Sequence, residues 1–386
     1  MTASAETPMS KPTPPSPRAL FTLRRLLAFA ALGMLVILAR PAMDHVKAAE
    51  LLVRFADPSK AAPATVTERE EVVQTPSGGV RARFYAPAGR DSAPVVVLVQ
   101  GMHRKGIDEP RLQRFARSVS DVGYEVVTPE VRDLSDYRID TRSIDTVGAT
   151  VDALSRGGKR KVGVMGMSFG GGIALLTAAD PRFAERVSFV VAVGAHDDLP
   201  RVTRFFMTQE IKDPDGKVFP VKPHAYGAMV VVRSHVDRFF PPGDAAIAGE
   251  AMKLQLWEDP AGARELAKKL PPASKAKLDK MLDGDFSEVK DEVLAMIEVE
   301  EQSMKKVSPA GHMGGLRAPA FLLHGEKDTV VPASETMFLA REIPEGRLGG
   351  VVVSSAIRHV EIEGEPTLAQ KWELVHWMGE VLGTAG

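Results

Sequence analysis

From Val66 onward, short apolar runs alternate with stretches whose apolar residues recur at the helical period. The runs are Val80–Tyr85, Pro94–Val99, Tyr124–Thr128, Lys161–Met165, Phe189–Val193, Pro319–Leu323 and Val351–Ser354. Several are apolar without interruption, as expected of strands covered on both faces. Helical patterns lie between them at Glu109–Val122, Arg142–Ser155, Gly170–Ala179 and Leu368–Leu382. Thr367 and Gln370 have capping-box spacing at the start of the last. Alternation of this kind predicts an α/β chain with a doubly wound, mostly parallel sheet.

One stretch breaks the alternation. Between Val193 and Pro319 the β pattern fades and helical pieces appear at Ala245–Trp257, Ala273–Leu282 and Phe286–Met304. A connection that long inside a compact domain implies structure of its own. The sequence therefore divides into a core over 66–198 and 317–384 and an inserted helical cap over 199–316. Phe205, Phe206, Met229, Phe239 and Phe240 supply the insert with large apolar side chains, either to line a pocket or to pack the insert itself.

Residues 1–48 read as a disordered tail followed by a signal peptide or membrane anchor. Met1–Arg18 is rich in Pro, Ser and Thr, and Arg24 and Arg25 precede an apolar run from Leu26 to Ala39. That run is about 21 Å as a helix, against roughly 30 Å of hydrocarbon. It has the length of a signal-peptide core, with cleavage after Ala48. It becomes an anchor over residues 21–39 when Phe21–Leu23 join it and the arginines snorkel. The positive flank on its N-terminal side predicts a cytoplasmic N-terminus, with the main domain exported or tethered outside the cytoplasm. The third reading is a buried helix of the main domain.

The composition narrows the chemistry. With 49 Lys+Arg against 50 Asp+Glu the net charge is −1, which predicts no nucleic-acid partner. The chain has no cysteine, so a thiol nucleophile, disulfides and Cys-ligated zinc are excluded. It carries no His-Glu-x-x-His and no Gly-x-x-x-x-Gly-Lys, so no metal motif and no phosphate loop is read.

The strand at Lys161–Met165 runs into Gly166-Met167-Ser168-Phe169-Gly170, followed by Gly171 and Gly172. This is G-x-S-x-G at a strand-to-helix turn, with Ser168 as candidate nucleophile between Gly166 and Gly170. A serine that must stand clear of its backbone needs a tight turn with small neighbours. The same stretch fits a dinucleotide pattern through Gly166, Gly170 and Gly172. That pattern belongs after the first strand, and the Tyr-x-x-x-Lys pair such a reductase needs is absent.

Serine needs a neighbouring base. Of nine histidines, His359 follows a late strand in a loop that precedes the last helix, where one loop can reach a serine on another. Asp328, after the strand Pro319–Leu323, is the candidate to orient that imidazole, with Asp197 and Asp198 as alternatives. Charge on an attacked carbonyl needs two N–H donors. Phe169, directly after the nucleophile, supplies one, and Met102, in the loop after Pro94–Val99, supplies the other.

The elbow Gly166–Gly170 and the segment His324-Gly325-Glu326-Lys327-Asp328-Thr329-Val330-Val331-Pro332 resemble the α/β-hydrolase superfamily. The likeness is to capped esterases and to dienelactone-hydrolase or serine-peptidase-like members. It covers roughly Val66–Gly383, with the insert at the usual cap position, and Ser168, Asp328, His359 follow the chain order of that fold. In the oxyanion loop Gln100-Gly101 stands where such proteins commonly have His-Gly. The resemblance implies a cofactor-free hydrolase of carboxylic esters, or less often of thioesters, amides or peptides, acting on a small acyl substrate. Two other readings keep the fold: an acyltransferase with the same triad, and a non-catalytic, membrane-tethered binding protein.

Overall fold

The computed structural model describes residues 40–60, 65–90, 92–359, 361–362 and 364–385. The tail and the apolar run Leu26–Ala39, with the tether over 21–39, lie outside them. The strands are β1 (Val66–Thr75), β2 (Gly78–Pro87), β3 (Val95–Val99), β4 (Glu125–Pro129), β5 (Val162–Met167), β6 (Val187–Val193), β7 (Glu210–Lys212), β8 (Val218–Pro220), β9 (Ala320–Gly325), β10 (Leu348–Ser354), β11 (Ile357–Arg358) and β12 (Glu361–Ile362). Eight of them form one sheet in the order β1-β2-β4-β3-β5-β6-β9-β10. The six from β4 to β10 run parallel, while β2 is antiparallel to both β1 and β4.

The helices are α1 over residues 40–56, α2 (Pro110–Asp121), α3 (Arg132–Ser135), α4 (Arg142–Leu154), α5 (Phe169–Ala179), α6 (Leu199–Thr208), α7 (Ala225–Ser234), α8 (Val236–Phe239), α9 (Pro242–Leu256), α10 (Pro260–Ala267), α11 (Pro272–Leu282), α12 (Lys290–Lys305), α13 (Ser334–Glu342) and α14 (Leu368–Ala385). Each sheet face carries its own apolar layer. On one, Val97, Val164 and Val190 pack with Ile173 of α5 and Val147 of α4. On the other, Leu98, Met165 and Phe321 pack with Phe115 of α2 and Trp377 of α14. The apolar runs in β3, β5, β6 and β9 are covered on both faces, as their pattern required, whereas the run in β10 lies on an edge strand with Val351 and Val353 exposed.

Two elements differ from the sequence pattern. Strand β1 is missing from it because seven of its ten residues are polar or charged (Val66, Val72 and Val73 are not) and almost all are exposed. It is an edge strand held by its full register with β2 and by ion pairs of Glu70 to Arg81 and Arg83, and edge charges of this kind block pairing with a second chain. The insert also holds a short hairpin, β7 with β8, where the sequence shows little β pattern.

Helix α1 takes residues 40–48 into the folded domain. Ala48 and Leu51 share one face and are fully buried, and Phe55 meets Phe115 edge-on with ring centroids 5.2 Å apart. Burying Leu51 alone is worth about 1.5–3 kcal/mol. Arg54 pairs with Asp121 at the end of α2. A cut after Ala48 would remove the first half of this helix.

The chain between β6 and β9 forms α6 to α12 around a separate apolar cluster. Its first turn is fixed by Asp198, whose carboxylate accepts the Arg201 N–H at 2.6 Å. Arg201 is shared by two buried carboxylates, Asp197 at 2.8 Å and Glu335 of α13 at 2.6 Å. Glu335 also accepts the N–H groups of Asp197 and Asp198. Burial, reinforced by Glu335, pushes Asp197 up to about 7 against its bond to Arg201. The unfolded chain loses this proton near its ordinary value, so the ionised group costs the folded state stability as pH rises from about 4 to about 7. Asp197→Asn is therefore expected to gain on the wild type as pH rises from 5, by about 1.4 kcal/mol for each pH unit crossed. The gain levels off once pH passes about 7. Urea unfolding of both proteins at pH 5 and pH 8 checks it, and a pH-independent difference would refute it.

Candidate active site

The chain passes from β3 outward to β4 and then back across to β5. That reversal opens a crevice beyond the carboxyl ends of β3 and β5, where open α/β sheets bind ligands. The loop Gln100-Gly101-Met102 leaves β3 at this crevice and Ser168 leaves β5. Asp328 and His359 come from the segments following β9 and β10 on the same edge. All four stretches border one cavity of about 690 Å³.

Ser168 has φ +54° and ψ −130°, a conformation that L-residues rarely adopt. The turn is held by the Ser168 N–H donating to Val193 O at 2.7 Å and by the Gly171 N–H donating to Ser168 O at 2.8 Å. The flanking glycines answer a spatial need. A Cβ at Gly166 would overlap the Gly170 carbonyl, and one at Gly170 would overlap the carbonyl of Gln100. The elbow and the loop after β3 thus touch backbone to backbone. Phe169 begins α5, where the first N–H groups have no partner inside the helix.

The Gln100 side chain is buried and braces the loop after β3. Its amide donates to Ser135 Oγ at 2.9 Å and to Val131 O at 3.3 Å. Met102, the other proposed donor, has its carbonyl held by the Tyr226 hydroxyl at 3.0 Å. Tyr226 belongs to α7 in the insert, and no motif in the sequence marks it.

Asp328 is buried and surrounded by donors. One oxygen accepts the N–H groups of Val330 at 2.8 Å and Val331 at 3.0 Å. The other accepts His359 Nδ1–H at 2.7 Å and lies 3.3 Å from His324 Nε2. Burial alone would raise this carboxyl, but the hydrogen bonds from His324 and His359 outweigh it and hold the group far below the usual carboxylate range. With Nδ1 donating to Asp328, the Nε2 of His359 carries the lone pair that a general base needs. No hydrogen bond joins Ser168 to His359 among the described residues, and such bonds often close only with substrate in place.

His324 is legible in the sequence only as the end of a strand. Its Nε2–H donates to Val331 O at 2.9 Å, so its Nδ1 accepts the Thr336 hydroxyl at 2.7 Å. It is a fully buried brace behind Asp328. Asp197 and Asp198 are committed to Arg201 and to the α6 cap, away from His359. His196 stacks on Phe169 at 4.4 Å between ring centroids, and burial lowers it to about 4, so it packs behind the elbow as a neutral ring.

The insert contributes Tyr226, Met229, Leu256, Met281 and Leu282 to the cavity wall, and α1 contributes Phe55. Of the five apolar residues considered for a pocket, only Met229 borders it. Phe205, Phe206, Phe239 and Phe240 lie in the interior of the insert, because its helices need a core of their own.

No family model and no curated protein sequence matches the chain. Among solved structures it is similar to the acylaminoacyl peptidase of Pyrococcus horikoshii, at 14% identity over 76% of this chain and 38% of that one, with a TM-score of 0.44. It is also similar to a membrane phospholipase A described as a bacterial virulence factor, at 19% identity over 87% and 90% with a TM-score of 0.42. A third is the 2-hydroxy-6-oxo-6-phenylhexa-2,4-dienoate hydrolase of a Rhodococcus strain, at 16% identity over 74% and 91% with a TM-score of 0.40. The chain spans little more than a third of the peptidase's length. Its own topology carries the structural conclusion. A strand order that reverses between β3 and β5, one antiparallel strand inside a parallel sheet, and a serine on a positive-φ elbow after β5 are together the α/β-hydrolase fold.

Proposed function

We propose that this chain is a serine hydrolase that cleaves a carboxylic ester with an extended apolar acyl group. Ser168 attacks the carbonyl, His359 takes its proton and returns it to the leaving alcohol, and Asp328 stabilises the imidazolium. The N–H groups of Met102 and Phe169 receive the developing oxyanion. Water activated by His359 then releases the acid. The observation that carries this reading is the His359 Nδ1–H bond to a buried Asp328, on the wall that also holds the strained Ser168.

The insert acts as the cap of this site, and its methionines and leucines select the acyl chain. The apolar run Leu26–Ala39 behind Arg24 and Arg25 holds the domain outside the cytoplasm, at the membrane or by export. Helix α1 follows that run directly and ends with Phe55 at the cavity.

The test is a p-nitrophenyl ester series of increasing acyl length on the full chain in detergent. Each buried methylene is worth about 0.8 kcal/mol, so kcat/KM is expected to rise roughly fourfold per added CH₂ until the cavity is filled. A flat series would overturn the acyl-pocket reading. Absence of turnover on every ester, together with failure of an alkyl phosphonate to label the protein, would overturn the hydrolase.

A further inference from the structure

His45 and His376, 331 positions apart in the chain, meet between α1 and α14. His45 of α1 and His376 and Glu380 of α14 bring one ligand atom each within 4.8 Å of one another. Among the described residues this is the one such cluster of three.

The two rings are set for ligation. His45 Nδ1 lies 2.6 Å from the Pro41 carbonyl, which can only accept, so Nδ1 carries the proton and Nε2 carries a lone pair. A ring N–H given to a backbone carbonyl is the usual support of a metal-bound histidine. That Nε2 lies 2.8 Å from His376 Nδ1. Ligands about 2.0–2.1 Å from a tetrahedral zinc ion lie roughly 3.3 Å apart, so the two rings part by about half an ångström and Glu380 closes by up to about 1.5 Å to admit the ion. His376 and Glu380 are four residues apart on α14 and project on one face. The rings of His45, Trp372 and His376 cluster in a triangle, with centroids 5.8, 5.1 and 6.4 Å apart. Gly379 makes the room: a Cβ there would stand 3.0 Å from the ring.

We propose that His45, His376 and Glu380 form a site for a divalent transition cation of the zinc class, which clasps α1 to α14. Two imidazoles and a carboxylate suit zinc, nickel or copper rather than magnesium or calcium. The ion takes the place of the proton between the rings, and His376 then carries its proton on Nε2. A fourth position stays open to water. The clasp joins the helix that follows the apolar N-terminal run to the last helix of the core.

The experiment is calorimetric titration of the full chain in detergent, stripped with EDTA, with zinc chloride. One equivalent is expected to bind with a micromolar or tighter constant and to raise the unfolding midpoint by a few degrees. His376→Gln and Glu380→Gln, both exposed, are expected to weaken binding at least ~10-fold and to abolish the thermal shift, while their circular dichroism and ester turnover stay as in the wild type. Binding that is absent at 100-fold excess zinc, or unchanged in the His376→Gln/Glu380→Gln double variant, would overturn the site. Neither result touches the Ser168 reading.

Discussion

Ser168→Ala is expected to lower kcat on a p-nitrophenyl ester by at least ~10³-fold while leaving the fold intact. The hydroxyl is the only group removed. Alanine retains the Cβ that packs beside Gly101, where a Cβ on the glycine would lie 3.3 Å away. It also accepts the same strained backbone that serine does, so stability should move by less than about 0.5 kcal/mol. The fall is large because nucleophile, base and orienting acid act as a unit, and removal of any one leaves only the contributions of binding and of the oxyanion donors. Intact mass after treatment with an alkyl phosphonate gives a second readout: one adduct on the wild type and none on the variant. Turnover by Ser168→Ala within tenfold of the wild type would remove the nucleophile from the mechanism.

The parts of this site that are legible in the sequence share one property, dependence on local geometry. G-x-S-x-G is visible because the elbow forces small residues at fixed spacing, and the overlap of Gly170 with the Gln100 carbonyl shows why. Asp328 is visible because the two valine N–H groups it accepts lie two and three residues ahead of it. The central strands β3, β5, β6 and β9 are visible because both faces are covered. What is hidden depends on distant pairing. Nothing near Tyr226 says that its hydroxyl ends on Met102, 124 residues earlier. Strand β1 carries a charged sequence because its partners are the arginines of β2. Helix α1 reads as the continuation of an export signal, since Ala48 and Leu51 reveal a buried face only against α2 and α14. The aromatic residues of the insert mislead for the same reason: composition gives their burial, and only the helix arrangement decides between wall and core.

The second large effect is expected at Asp328→Asn, with kcat lower by about 10⁴-fold. The local bonds determine how the amide must sit. Val330 and Val331 offer N–H groups to one side of the carboxylate, at 2.8 and 3.0 Å, so the amide oxygen stays there. The NH₂ then faces His359 Nδ1 and His324 Nε2. His359 must turn its lone pair to Nδ1, which moves the proton to Nε2 and deprives Ser168 of a base. His324 cannot answer in the same way, because its Nε2–H is already given to the Val331 carbonyl. The variant therefore sets donor against donor in a buried site and should lose about 1–3 kcal/mol of stability. The pH dependence separates this from a general packing defect. Asp328 is held below its ordinary value of 3.8, so its contribution is complete above that value and is lost as pH falls through the lower folded one. The stability gap between wild type and Asp328→Asn should be constant from pH 8 to about pH 5 and should shrink below pH 4, as measured by urea unfolding. A kcat reduced less than tenfold, or a gap that persists unchanged at pH 3, would mean that His359 is oriented by something other than this carboxylate.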